Sequence, residues 1–274
     1  MSLTYVYCLV RSARRPSLRG IHAGMPGGSA VRILEIPAST APVKRAATAR
    51  DWLIVSTVPA DAYGEEALEA GLQQLEWVAP RALAHEAVVE HFLAAPAVLP
   101  MQLFTMFTGD ARASEHVVRD RRRIAAIMKR IEGQVEWGLR LTLDLEAQAV
   151  PPAANRKRAA RALTAREQEK ATSGAAYLAR KRDQLDLART RLKKARTEAN
   201  RMYRAVAREA TGARRRTATE QATPGSRLVL DAAFLVPVRR AAGFRAAVGR
   251  SARGLRGTGL TVSLTGPWPA YNFI

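Results

Sequence analysis

Two His-Glu pairs, His85-Glu86 and Glu90-His91, bracket the tripeptide AVV in a stretch of helical periodicity, and their residue types raise the question of a metal or acid–base site. The spacing argues against one. A helical zinc site needs histidines four residues apart with a glutamate beside the first, but the residue four after His85 is Val89. Glu86 and Glu90 share a helix face on which neither histidine is centred, so these residues read as surface or core-edge positions, with no metal and no cofactor assigned. GLRGTGL (residues 254–260) is glycine-rich but follows a helix and precedes a strand, the reverse of a phosphate-binding turn. GxxxxGK[ST] and GxSxG are both missing from the sequence, and no nucleophile stands at an interpretable spacing from a base. Cys8, the single cysteine, excludes an intrachain disulfide and lies in an apolar run as a core residue. No catalytic residue is assigned, and nothing argues for an enzyme.

The elements that position these residues follow from periodicity. Residues 3–10 (LTYVYCLV) predict a strand buried on both faces. A glycine-rich loop (residues 19–30) and short strands at 31–36 and 52–58 come next. Leu68, Leu72 and Leu75 then lie on one helical face, Ala79-Pro80 interrupts, and Leu83, Ala87, Val88 and Phe92 resume it. VLPMQLFTMF (98–107) predicts a strand or extended segment. Val117, Ile124, Ile127, Met128 and Ile131 predict one amphipathic helix ending at Gly133.

Beyond it, Val135, Trp137, Leu139, Leu141, Leu143 and Leu145 alternate with Glu136, Gly138, Arg140, Thr142 and Asp144, a strand with one buried and one wet face. Pro151-Pro152 ends that strand and a long Ala/Arg-rich helical region follows. Leu178, Leu185, Leu192, Ala199 and Val206, with Ala188, Ala195 and Met202, trace a coiled-coil-like seam interrupted by Lys181. Residues 214–221, a turn at TPGS (223–226) suited to joining two strands, a strand at 227–236, a helix with Phe244, Val248, Ala252 and Leu255, and an alternating strand with Leu260, Val262 and Leu264 complete the order. Strand, helix, strand, strand, helix, strand is the split βαβ, or ferredoxin-like, arrangement. The expected fold is α+β in two domains: an N-terminal α/β domain (1–132), and a C-terminal modified ferredoxin-like (βαββαβ) domain (133–274). The second has an enlarged first helical segment, a basic long-helix region (153–212) and a C-terminal tail (265–274).

Of the net charge of +20, residues 156–216 carry 20 Lys and Arg against 6 Asp and Glu. The basicity is therefore mostly the solvated outside of one helical segment. The alternative, a basic nucleic-acid-binding regulator, finds little support: only Tyr177 and Tyr203 are aromatic in that segment, and no zinc-finger spacing or RNA-recognition motif accompanies it. The opening MSLTYVYCLVRSARR puts its arginines after the apolar run, unlike a secretory leader, and no apolar run approaches the roughly 18 residues of a membrane span, so a cytoplasmic setting without membrane contact is expected.

YVYCLV, WLIVSTVP, HEAVVEHFLAAPAVLPMQLFTMF, EGQVEWGLRL, SGAAYLARKRD, RLVLDAAFLVPV and LTGPWPAYNFI, in this order from end to end, resemble the GvpL/GvpF family of gas vesicle proteins. The sequence departs from that family's LPMRFGTVF in reading LPMQLFTMF, which loses an arginine at Gln102 and a glycine in the Phe104-Thr105 stretch; it also has Cys8 where the opening strand usually has glycine. The resemblance implies a cytoplasmic, vesicle-associated accessory or minor structural protein needed for gas vesicle assembly. It implies contact with the small hydrophobic shell protein and with other vesicle accessory proteins, and a chaperoning or nucleating role in shell formation. It carries over no catalytic residue and no cofactor.

The ending TGPWPAYNFI places two prolines and four large apolar side chains where chains usually fray. Pro267 and Pro269 stiffen it and keep it from lengthening the last strand regularly. Trp268, Tyr271, Phe273 and Ile274 then either dock within the second domain or form a partner-binding hook.

Overall fold

The computed structural model describes residues 1–37, 49–145, 174–217 and 225–274. These form two compact units, Met1–Glu136 with Pro267–Ile274, and Trp137–Gly266. The tail from Pro267 thus belongs with the first unit, where the sequence reading had placed it with the second.

The first unit is built on strands β1 (Ser2–Ser12), β2 (Arg32–Glu35), β3 (Arg50–Pro59) and β4 (Ala97–Pro100), ordered β2-β3-β1-β4, with β5 (Met106–Phe107) also pairing β1. Every pairing is antiparallel. β1 is central, and its apolar run is buried on both faces from Thr4 to Val10. Its register with β3 shifts between Val6 and Cys8, and at this bulge the Tyr7 carbonyl accepts the Met101 N–H at 2.9 Å. Gly24 shows why the preceding loop is glycine-rich. A Cβ there would stand 2.7 Å from the Tyr7 hydroxyl, which accepts the Met25 N–H at 2.8 Å and donates to Ser56 at 3.0 Å.

The helices are α1 (Ala60–Tyr63), α2 (Glu65–Gly71), α3 (Leu75–His91), α4 (Asp110–Arg119) and α5 (Arg121–Ile131). Two differ from expectation. α3 continues through Pro80, near its N-terminal end, where the missing N–H costs the helix only the bond to the Glu76 carbonyl; beside it the Arg81 guanidinium donates to the Trp77 carbonyl at 2.9 Å. The single helix expected over 117–131 is two, divided at Asp120, whose carbonyl accepts the Ile124 N–H that starts α5. The seven-residue step from Val117 to Ile124, both buried, spans the break unchanged, so apolar spacing alone does not reveal it. The Asp110 carboxylate, in the first turn of α4, takes two bonds from Arg32 at 2.7 and 2.8 Å and one from Thr4 at 2.7 Å. Arg32, then Thr4, hold its pKa below the usual carboxylate value against the opposing effect of burial.

The second unit holds most of β6 (Gln134–Asp144), then α6 (Gly174–Ala207), β7 (Gly212–Arg215), β8 (Ser226–Pro237), α7 (Ala241–Arg253) and β9 (Leu260–Trp268), with sheet order β7-β8-β6-β9. Trp137, Phe234 and Phe244 stack in its core, with ring centroids 6.1 and 5.6 Å apart, and Tyr203 of α6 adds to Phe234 at 5.6 Å. The seam of α6 is buried at Ala195, Ala199, Met202 and Val206, where the helix meets β8 and α7, but Leu178 and Leu185 are exposed. On the polar face, the buried Asp231 carboxylate of β8 is gripped by Arg216 at 2.5 and 2.7 Å and by Arg140 at 3.3 Å.

β6 and β9 correct two further expectations. The wet face of β6 begins only at Arg140, because Glu136 and Gly138 are buried; a Cβ on Gly138 would lie 2.7 Å from Thr265 Oγ1. β9 runs through Pro267 to Trp268 although the prolines were expected to keep the tail from lengthening that strand regularly. It is an outer strand of its sheet, where a missing N–H breaks no ladder on the open side. Pro151-Pro152, the basic region up to residue 173, and Thr223 and Pro224 of the expected turn lie outside the described residues.

Candidate functional site

After β9 the chain enters the first unit as a short 3-10 turn, Tyr271–Phe273. Of the four aromatic and apolar residues singled out in the tail, Phe273 is buried, Tyr271 packs against the β1/α3 core, Ile274 is half-buried, and Trp268 remains 38% exposed. The turn is fastened by its backbone more than by its rings. Glu136, only 3% exposed, accepts the Asn272 N–H at 2.7 Å on one carboxylate oxygen and the Asn272 side-chain amide at 2.5 Å on the other. The Arg130 guanidinium donates to the Phe273 carbonyl. Such charge-assisted bonds are roughly twice as strong as neutral ones. Alternation along β6 places Glu136 in water; the segment that covers it arrives 136 residues later.

The docked tail forms one wall of a cavity of about 340 Å³, lined by Ala82, His85, Glu86, Met101, Gln102, Leu103, Tyr271 and Ile274. His85 and Glu86 reach it from the middle of α3, while His91, at the end of the helix, is half-buried and bonds the Ser17 carbonyl at 3.0 Å. The two His-Glu pairs are therefore not brought together around one point. Among the described residues no group of three or more His, Cys, Asp or Glu is arranged to hold a metal.

His85 is buried beside Tyr5. The Tyr5 hydroxyl accepts the Phe104 N–H at 3.3 Å and shares a hydrogen bond with His85 Nδ1 at 2.7 Å. Burial lowers the His85 pKa to about 4, against a smaller opposing effect of the Met101 backbone. Burial raises that of Glu86, with the Tyr271 hydroxyl opposing and the Glu90 charge adding. Tyr271 is pushed up by burial and then by the Glu86 charge, and Tyr5 and Cys8 are pushed up chiefly by burial. Phe104, in the turn beside the cavity, has φ of 66°, the one positive φ outside glycine among the described residues. That backbone region suits glycine.

Sequence reasoning also missed an exposed apolar strip. Leu75 and Leu83, about two turns apart on α3, are 79% and 71% exposed, and Leu72 just before the helix is exposed too. Periodicity identified these as apolar positions but not which of them another element covers. In the second unit, Thr197, Asn200, Arg201, Arg204, Ala205 and Arg208 line a groove along α6, the solvated basic surface expected from composition.

The family described as gas vesicle synthesis protein GvpL/GvpF matches residues 3–274. The chain belongs to this family. A GvpL/GvpF relative, gas vesicle protein L of Streptomyces sp. (strain CB03234), is 32% identical over 227 residues, covering 80% of this chain and 78% of that protein. The crystal structure of the gas vesicle protein GvpF from Anabaena sp. PCC7120 superposes with a TM-score of 0.61 at 12% identity, covering 100% of this chain and 96% of that one. The GvpF structure from Microcystis aeruginosa gives 0.59 at 12% identity, with 99% and 98% coverage. At that identity the likeness is one of fold, and it extends over both units. The αL conformation of Phe104 falls in the stretch where the GvpL/GvpF pattern has its glycine, and Gln102, in place of that pattern's arginine, stands exposed on the cavity wall.

Proposed function

We propose that this chain is an accessory or minor structural protein of gas vesicle assembly that binds the small hydrophobic shell subunit, works with other vesicle accessory proteins, and resides in the cytoplasm at the vesicle. Family membership supports the vesicle role. The observation that carries the binding mode is the exposed strip of Leu72, Leu75 and Leu83 in the first unit. A shell subunit with an apolar gas-facing side aggregates unless that side is covered, and a rigid helix presenting leucines is suited to cover it while a highly charged second unit keeps the complex dissolved. Trp268 is the tail residue left free enough to join this contact; Tyr271 and Phe273 serve as the latch.

The fold reading that accompanies this proposal takes the second unit as ferredoxin-like. Its support is the order β7-β8-β6-β9, in which the third strand of the unit lies between the first and second and the fourth lies outside the first. α6 enters between its first and second strands and α7 between its third and fourth.

Co-expression of the shell subunit with the wild-type chain and with a Leu75→Asp/Leu83→Asp variant tests the binding mode. The wild type is expected to keep the subunit soluble and co-purify with it, and the variant to fold normally and lose it. Equal recovery by both, or no recovery by either at any salt concentration, would refute the proposal.

A further inference from the structure

Among the described residues, every side chain of α6 from Tyr177 to Thr190 is exposed; Arg191, which donates to the Asp144 carbonyl at 3.3 Å, marks where the helix reaches the sheet. The seven-residue apolar period that the second half of α6 buries nevertheless runs on through this first half. Leu178 is 65% and Leu185 53% exposed, and Leu192 is half-buried. From Leu178 to Leu192 the seam extends ~21 Å at about 1.5 Å per residue. Core packing accounts for Ala195, Ala199, Met202 and Val206 but not for Leu178 and Leu185. An arginine stands four residues after each seam leucine: Arg182, Arg189 and Arg196. This spacing sets leucines and arginines side by side along one stripe of the helix. Arg182 and Arg196 have no carboxylate partner among the described residues. Arg189 meets only Asp186, at 3.5 Å in an i,i+3 pair so exposed that a better-placed acid displaces it at little loss.

We propose that the first half of α6 is a docking face for an acidic amphipathic helix of a partner protein. The partner's apolar residues pack between Leu178, Leu185 and Leu192, and its Asp and Glu side chains flank them and accept from Arg182, Arg189 and Arg196. Charge chooses this occupant over the others. A second copy laid antiparallel sets the arginine row against itself; laid parallel, it sets Arg191 against Arg196 and brings no carboxylate to Arg182 or Arg189. Residues 153–173 of the same chain carry six Lys and Arg against two Glu and repel the row as well. A nucleic-acid strand meets the arginines but leaves the leucines in water. The face belongs to the second unit and is separate from Leu72, Leu75 and Leu83, so the proposal stands apart from shell binding.

A three-heptad synthetic peptide with leucine at a and d and glutamate at e and g, titrated into the full chain, tests the face. Saturable binding is expected in the micromolar range at about 0.15 M salt, with no binding of the same peptide carrying lysine in place of glutamate. Leu178→Ser/Leu185→Ser is expected to weaken it about a hundredfold. Arg182→Glu/Arg189→Glu is expected to exchange the preference, losing the glutamate peptide and gaining the lysine one. Leu75→Asp/Leu83→Asp, aimed at shell binding, is expected to bind the peptide as the wild type does, which separates failure of the one reading from failure of the other. Hydrogen exchange at residues 177–190 should slow only when the peptide is present. The proposal is overturned if a scrambled peptide of the same composition binds equally, or if duplex RNA displaces the peptide and the leucine changes leave RNA binding intact. It is overturned too if the free chain already protects this stretch, or if it is a dimer that Leu178→Ser/Leu185→Ser dissociates.

Discussion

In the first unit the Glu136 carboxylate receives a peptide N–H and an amide from Asn272, whereas in the second the Asp231 carboxylate receives two guanidinium groups, from Arg140 and Arg216. Both carboxylates are almost fully buried, yet they do different work. Asp231 ties neighbouring strands by charge, with its partners at fixed places in the same sheet. Glu136 selects one particular turn of chain by the direction of two donors, so it acts as a receptor for the tail. One buried carboxylate is part of a sheet; the other makes a distant segment part of a domain.

The largest way to break this comparison is to delete residues 268–274. Phe273 and most of Tyr271 lose their burial along with the Asn272 and Arg130 bonds, so the first unit should lose on the order of 5 kcal/mol. Hydrogen exchange should show lost protection in β1 and α3 with β8 unchanged; the reverse pattern would return the tail to the second unit. Asp231→Ala should cost about 3 kcal/mol, discounted for the partial exposure of both arginines, with the effect confined to the second unit.

A comparable effect should come from pH. The folded pKa of His85 lies near 4, below the ordinary 6.5, so the folded state favours the neutral ring. Stability from this group is complete above pH 6.5 and falls as pH drops toward 4, by roughly 3 kcal/mol in all. Denaturant titrations across that window should show the slope, and His85→Gln should flatten it. Asn272→Ala should cost about 2 kcal/mol and lower the protection of the same first-unit amides as the deletion does. Smallest in stability is Leu83→Ser, expected within about 0.5 kcal/mol of wild type because the side chain is already in water. A larger loss would mean that this leucine supports the fold and is not a free contact surface.

How much of this was legible depended on whether the determining contact was local. β1 announced itself as an unbroken apolar run, and β6 as strict alternation from Leu139 onward. In the second unit the apolar runs at 227–236 and around Leu260, Val262 and Leu264 were legible as strands, and they lie in β8 and β9. Glu136 was illegible because a strand's period says which side a residue faces, not what will later cover that side. Pro80 suggests a break, but so near the N-terminal end of α3 its missing N–H costs one bond, to the Glu76 carbonyl, and the helix continues. Leu75 and Leu83 share the apolar spacing of Val88 and Phe92, and only the tertiary packing separates covered from uncovered apolar positions. The cavity needed three segments, α3, the Met101–Leu103 stretch and the tail, to meet, and no single window of sequence contains them.

The placement of residues 267–274 also bears on how the protein is made. Everything of the first unit up to Glu136 leaves the ribosome before the second unit does, yet it lacks the segment that covers Glu136 and closes the α3 cavity. At about 5–20 residues per second, synthesis of the intervening second unit keeps that docking site open on the order of ten seconds. The usual order of domain completion is thereby inverted: the part translated first is finished last, and a nascent chain stalled in the second unit exposes an unfilled acceptor that chaperones or an added tail peptide can find.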